Sequence, residues 1–268
     1  MNFDLSEEQQ MFVTSVERFA APIDVEARRR LRLSPTGYDR ARWQQLAELG
    51  LIALAAGEDA GGMGGSAVDL ALVAEAIGKA NAPDPLLEHG ILPALLLERG
   101  GATDALEGVL AGETIATLAW TERGQRYSLK PKGMKAEGAD GSFTLTGEKT
   151  MVMGALIADL FIITADIGGE TACFLVPKDA PGLEVRAYRL ADGSIAGEIK
   201  LTRTPAAAKL ALLEASMQEQ GAVARAPPGL QRSRQDRYPR AARRTTPALA
   251  RGAAADPGAA GLAPALVW

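Results

Sequence analysis

Apolar residues recur at helical spacing through roughly the first 110 positions and at strand spacing through the next hundred, and this change of period divides the chain. Met11, Phe12, Val16 and Phe19 form one apolar stripe, and Ser6 is followed three residues later by Gln9. That is a capping-box arrangement, so a helix is predicted to start at Ser6. A second helix is predicted from about Tyr38 through Trp43, Leu46 and Leu49, with Gly50 where a left-handed residue would end it. A long helix follows over Ala67 to Lys79, closed by Pro83 and Pro85, and two more are expected over 86–97 and 104–110. The run from Gly57 to Ser66 is rich in glycine. It has no lysine after the glycines and no buried strand before them, so it reads as a flexible connection between helices rather than a phosphate cradle.

From Thr114 the pattern becomes extended, with short apolar runs between turn signals. The predicted strands are 114–120, 132–137, 142–146, 149–153, 160–165, 171–176, 183–188 and 195–201. Asp140-Gly141 and Asp192-Gly193 supply the positive φ angles of tight hairpin turns. A helical pattern returns over Leu210 to Gln220. The fold class read from this order is α+β: an all-α N-terminal helical domain over 1–112 and an antiparallel β-sandwich or barrel middle domain over 113–208. The start of a helix over 209–221 and a disordered tail over 222–268 complete it.

Composition changes the picture most at the C-terminal end. Residues 223–268 carry eight Arg against two Asp, which leaves the rest of a chain of net charge −4 close to −10. From Ala222 onward there is no Lys, Glu, Ile or Phe, and repeated prolines break any long helix. Arg, Ala, Pro and Gly all have GC-rich codons, so a shift of reading frame in a GC-rich gene would produce this composition; an evolved basic tail is the alternative. An Arg-rich tail also raises a nucleic-acid-binding reading, which salt-dependent binding lost on deleting 222–268 would reveal. Nucleic acid is nonetheless not the expected partner.

Other chemistry is sparse. Cys173 lies in an apolar run and reads as a small buried hydrophobe, and His89 is the only histidine. No metal site and no Ser-His arrangement is expected. No apolar run approaches the ~20 residues that cross a bilayer, and the N-terminus lacks the pattern of a signal peptide, so a soluble cytoplasmic protein with no membrane partner is expected.

Several segments resemble the acyl-CoA dehydrogenase family. They are Leu5-Ser-Glu-Glu-Gln9 with Phe19-Ala20, Trp43 to Leu51 with the glycine loop, Thr121-Glu122, Leu145-Thr-Gly-Glu-Lys149 with Ala158-Asp159, Phe174 to Pro177, and Tyr188 through Gly193. The resemblance covers roughly residues 3 to 208. It implies an FAD cofactor held between the β-domain and a C-terminal helical bundle, and an acyl-CoA substrate oxidised to a trans-enoyl-CoA, as in fatty acid or steroid side-chain β-oxidation. It also implies an electron-transfer flavoprotein as acceptor.

Carried over by residue, the resemblance puts the flavin against Leu118, Trp120, Thr121, Met151, Val152 and Met153, and the CoA part near Ser128. Two departures stand out. Met151, Val152 and Met153 occupy the place of the family's usual Trp-Ile-Thr, which removes an aromatic wall and a hydroxyl donor. Glu122 to Ser128 departs from the usual Glu-Pro-Gly-Ala-Gly-Ser. Nothing after Gly221 resembles the helical domain that carries the family's catalytic glutamate, so no catalytic residue is assigned. The chain is read as a truncated or frame-shifted, impaired family member. The runner-up is a non-catalytic subunit paired with a homologous acyl-CoA dehydrogenase chain. Either way an uncovered face of the β-domain is expected to make the isolated chain unstable or oligomeric.

Overall fold

The computed structural model describes residues 4–21, 24–125, 128–139 and 141–210. The expected tail and residues 211–221 of the expected last helix lie outside them.

Among the described residues six α-helices come first. Helix α1 (Glu7–Ala20) is capped by Ser6, whose side chain accepts from Gln9 N–H while the Gln9 side chain reaches back to the Ser6 N–H. Helix α2 (Val25–Leu33) has no buried residue, which is why no apolar stripe announced it; the Asp24 side chain caps it. Helix α3 (Arg40–Glu48) buries Trp43 and Leu46, and Gly50 follows at φ +70°, the predicted left-handed stop. Helix α4 (Ala67–Lys79) begins at a second capping box, Ser66 with Asp69. The stretch over 86–97 is one π-helical turn, Leu87–Ile91, running into α5 (Leu92–Arg99). Helix α6 (Thr103–Leu110) completes the set.

The glycine-rich connection is tied down by its own backbone. Met63, Gly64 and Gly65 N–H groups donate to Ala53, Ala56 and Leu54 carbonyls at 2.7–3.0 Å. A Cβ on Gly62 would stand 2.1 Å from Ala56 O. The glycines serve close backbone approach, and these N–H groups are not offered to a phosphate.

Eight strands follow among the described residues: β1 (Ala116–Ala119), β2 (Lys135–Ala139), β3 (Ser142–Met153), β4 (Leu160–Ile167), β5 (Glu170–Pro177), β6 (Leu183–Arg189), β7 (Ile195–Ala206) and β8 (Ala208–Leu210). They form one sheet in the order β6-β7-β3-β2-β4-β5-β8, with β1 beside β4. Pairing is antiparallel except for β1 with β4 and the short β2–β4 contact. The fold is thus helical first and mostly antiparallel afterwards, as the periodicity implied.

Two differences from the sequence reading have plain causes. The two strands expected over 142–146 and 149–153 are one, because β3 continues through Gly147 and Glu148, which pair with Leu201 and Lys200 of β7. The register shifts once before them, where β7 has the extra residue, and once between Lys149 and Val152, where β3 has it. The helix expected from position 209 begins instead as strand: Leu210 pairs with Cys173 and is 2% exposed, packed against Gly100 behind α5. Ladder pairing at the sheet edge outweighs the helical spacing of its apolar residues there.

Apolar residues on both faces of β4 and β5 bind the two halves together. Ile162, Cys173 and Leu175 join the helical core with Trp43, Leu46, Ile52 and Leu97. Phe161, Ile163, Phe174 and Val176, one residue out of phase, join a second core with Met134, Leu145 and Ile199. Strands buried on both faces read as continuous apolar runs, and these do.

Candidate functional site

The ends of β1 and β3 lie side by side, and hydrogen bonds lock them. Thr117 Oγ1 donates to Met153 O at 2.7 Å, and Thr150 N–H donates to Thr121 O at 2.8 Å. Five of the seven residues singled out from the sequence stand on this ledge with side chains at least partly open. Leu118, Trp120, Thr121 and Met153 are half-buried, and Met151 is exposed. The bulge turns Met151 out of the sheet at φ +52°, where its Sδ accepts from the Tyr188 hydroxyl at 3.3 Å. Val152 behaves differently: it is 1% exposed and its side chain belongs to the inner core. Only its backbone borders the ledge.

Ser128 stands apart in an exposed loop. Its hydroxyl accepts from Lys130 N–H at 3.2 Å and its N–H donates to Gln125 O at 3.4 Å. Gln125 shapes that loop, with Oε1 accepting from Glu122 N–H and Nε2 donating to Lys130 O.

Beneath the ledge is a polar cluster that the sequence reading quoted residue by residue but did not assemble. Lys149 is fully buried, and its Nζ donates to Glu122 Oε1 at 2.8 Å, Thr164 Oγ1 at 2.9 Å and Trp120 O at 3.2 Å. Glu122 also accepts from the N–H groups of Lys132, Gly133 and Met134 at 2.7–3.1 Å. Burial alone pushes the Glu122 carboxyl up, but the Gly133 N–H, Lys149 and the other donors outweigh it and hold its pKa at about 2. Burial draws Lys149 below the ordinary lysine range, against the pull of Glu122. Three acceptors around one Nζ match the three protons of an ammonium, so the pair is ionic. A signal for it existed: Lys149 falls in phase with Leu145 on a strand that packs inward.

Next to the ledge opens a cavity of about 510 Å³, lined among others by Arg28, Tyr38, Asp84, His89, Met153 and Gly193. Arg42 grips Asp84 on its wall through a two-pronged ion pair, Nη2 to Oδ2 at 2.7 Å and Nε to Oδ1 at 3.0 Å. His89 is 2% exposed, and its Nδ1 lies 3.3 Å from Ala116 O. Burial lowers its pKa to about 4 despite that carbonyl, so the ring is neutral at physiological pH. Cys173 is 4% exposed, and burial raises its thiol to about 11. Among the described residues no three His, Cys, Asp or Glu side chains gather as a metal site, and no helix is long and apolar enough to cross a membrane.

The chain matches two family descriptions in succession: "Acyl-CoA dehydrogenase, N-terminal domain" over residues 6–117 and "Acyl-CoA dehydrogenase, middle domain" over 117–203. It is 30% identical over 201 residues to benzylmalonyl-CoA dehydrogenase of Aromatoleum aromaticum, covering 69% of this chain and 51% of that protein. Among solved structures, PigA with FAD and proline matches at a TM-score of 0.69 and 27% identity, over 78% of this chain and 59% of that one. The ChsE4-ChsE5 complex from Mycobacterium tuberculosis matches at 0.67 and 28%, over 78% and 58%. The chain spans about half the length of the curated relatives it matches.

Proposed function

Since the chain belongs to the acyl-CoA dehydrogenase family, which it matches through the N-terminal and middle domains, we propose that it binds FAD on the β1–β3 ledge. There it serves the α,β-dehydrogenation of an acyl-CoA to a trans-enoyl-CoA. The observation that carries this reading is the bonded ledge itself. It joins a half-buried apolar wall, Leu118 and Trp120, to the exposed Met151 thioether, and it carries a Thr121 N–H with no partner among the described residues. An apolar face with an unused edge donor fits a flat heteroaromatic ring. FAD supplies the hydride acceptor when bound; Leu118, Trp120, Thr121, Met151, Met153 and the Val152 backbone would hold it.

The acyl group is assigned to the adjacent cavity, which shares Met153 with the ledge and has the volume of a small-ligand pocket. Ser128 is assigned to the CoA part. No catalytic base is assigned to this chain: His89 is buried and neutral, and the Glu122 carboxylate is engaged by four donors. The electron acceptor is an electron-transfer flavoprotein. A cytoplasmic setting suits the buried free thiol of Cys173.

A second reading has its own observation. Met151 and Met153 offer no hydrogen-bond donor where the family pattern usually has a tryptophan and a threonine. A non-catalytic subunit beside a homologous catalytic chain fits that loss, and the similar ChsE4-ChsE5 structure is a complex.

The visible absorption of the purified chain with added FAD, after gel filtration, tests both. A flavin band that co-elutes and bleaches with acyl-CoA supports the first reading. A band that appears only when a full-length homologous chain is present supports the second. No band in either case overturns both.

A further inference from the structure

The peptide joining Trp120 to Thr121 is held from inside the protein. Trp120 O accepts from the fully buried Lys149 Nζ at 3.2 Å, so the carbonyl points inward. Among the described residues there is no cis peptide bond, and in a trans peptide the N–H points opposite to the C=O. Thr121 O is already engaged by Thr150 N–H at 2.8 Å, whereas Thr121 N–H has no partner among the described residues. The other two protons of Lys149 are engaged by Glu122 Oε1 and Thr164 Oγ1, so the ammonium cannot turn away from Trp120 without leaving an acceptor bare. Glu122 is itself fixed by the N–H groups of Lys132, Gly133 and Met134.

We infer that Lys149 is a positioning residue: by pinning Trp120 O inward it aims the Thr121 N–H outward, as a preorganised donor to the polar edge of the flavin ring. The inference rests on the FAD reading above. A purely stabilising role explains the arrangement less well, because a buried ion pair is a poor source of stability compared with apolar residues of the same volume. No apolar residue, however, can hold a carbonyl. Donors fixed before the ligand arrives need no reorganisation when it binds.

The test compares three forms of the 268-residue chain: unsubstituted, Lys149→Met with Glu122→Gln, and Thr164→Val. The double substitution removes both charges together, so neither is left unpaired, and it takes the donor from Trp120 O. Thr164→Val removes an acceptor of Lys149 but leaves Trp120 engaged. Two quantities are read: the chemical shift and hydrogen exchange of the Thr121 amide without flavin, and the Kd for FAD.

The expected result is that the double variant moves the Thr121 amide and weakens FAD roughly tenfold, the loss of one good hydrogen bond. Thr164→Val moves neither, although it too lowers the melting temperature. A folded double variant with an unmoved Thr121 amide, or with FAD affinity equal to the unsubstituted chain, overturns the inference alone. If Thr164→Val shifts the amide as much as the double variant does, the role is general packing and the inference also fails. No FAD binding by the unsubstituted chain, alone or with a homologous partner, overturns the flavin reading itself.

Discussion

The imidazole of His89 lies so close beneath Gly154 that a Cβ built on the glycine would stand 2.2 Å from Nε2 and 2.4 Å from Cε1. Gly154 also adopts φ +60°, and its N–H donates to Ile195 O at 2.7 Å. A ring from the helical half thus sets how near the end of β3 approaches it, in the lining of the cavity.

Gly154→Ala is therefore expected to destabilise the fold by about 2–3 kcal/mol, from backbone strain together with overpacking. His89→Ala in the same chain should recover the overpacking part and not the strain part. Urea unfolding of the two single variants and the double gives the coupling; strictly additive losses would contradict the contact.

Acid should weaken the fold in two stages, both of the same sign. The folded pKa of His89 is depressed from 6.5 to about 4, so the unfolded chain binds the extra proton and stability falls as pH drops from about 6.5 toward 4. Glu122 is depressed from 4.5 to about 2, so its contribution is present above about 4.5 and is lost as pH falls toward 2. Melting temperature against pH should decline through both windows. His89→Gln should flatten the upper decline and leave the lower one.

Lys149→Met alone is expected to cost roughly 3 kcal/mol or more, because it leaves the Glu122 carboxylate buried without its counter-charge. Adding Glu122→Gln should return much of that loss. Denaturant midpoints at constant m-value decide it: a single variant within experimental error of the parent would mean that the pair is not buried as described.

Cys173 should resist a thiol reagent such as DTNB at pH 8 in the folded chain and react at once in denaturant. The thiol is 4% exposed, and its pKa of about 11 leaves little thiolate. Stoichiometric labelling within seconds under native conditions would contradict this placement.

Much of the fold was legible where one local rule decided. Ser6 with Gln9 gave the first helix because a capping box satisfies its own N–H groups, and Gly50 gave the end of α3 because only a left-handed residue closes it there. Helix α2 was not legible, since a helix with no buried residue has no stripe to show. The two-part reading of β3 failed at Gly147 and Glu148, residue types that strands disfavour, although the ladder with Leu201 and Lys200 carries the strand through them.

The candidate site was legible as segments and not as a site. Thr121-Glu122 and the stretch through Lys149 to Met153 stood out in sequence, yet Glu122 and Lys149 lie 27 positions apart and nothing local says that their side chains meet. Val152 and Met151 are neighbours with opposite fates, one in the core and one exposed, because the bulge resets which face each side chain takes.

The sequence by itself determined the order of helices and strands, the caps that bound them and the family, because periodicity and capping act over a few residues. Only the tertiary structure decided that Lys149 turns inward onto Trp120 and Glu122, that Met151 turns out, and that His89 presses on Gly154. Each depends on pairing between distant strands, where register and burial, not local preference, fix which polar groups must find one another.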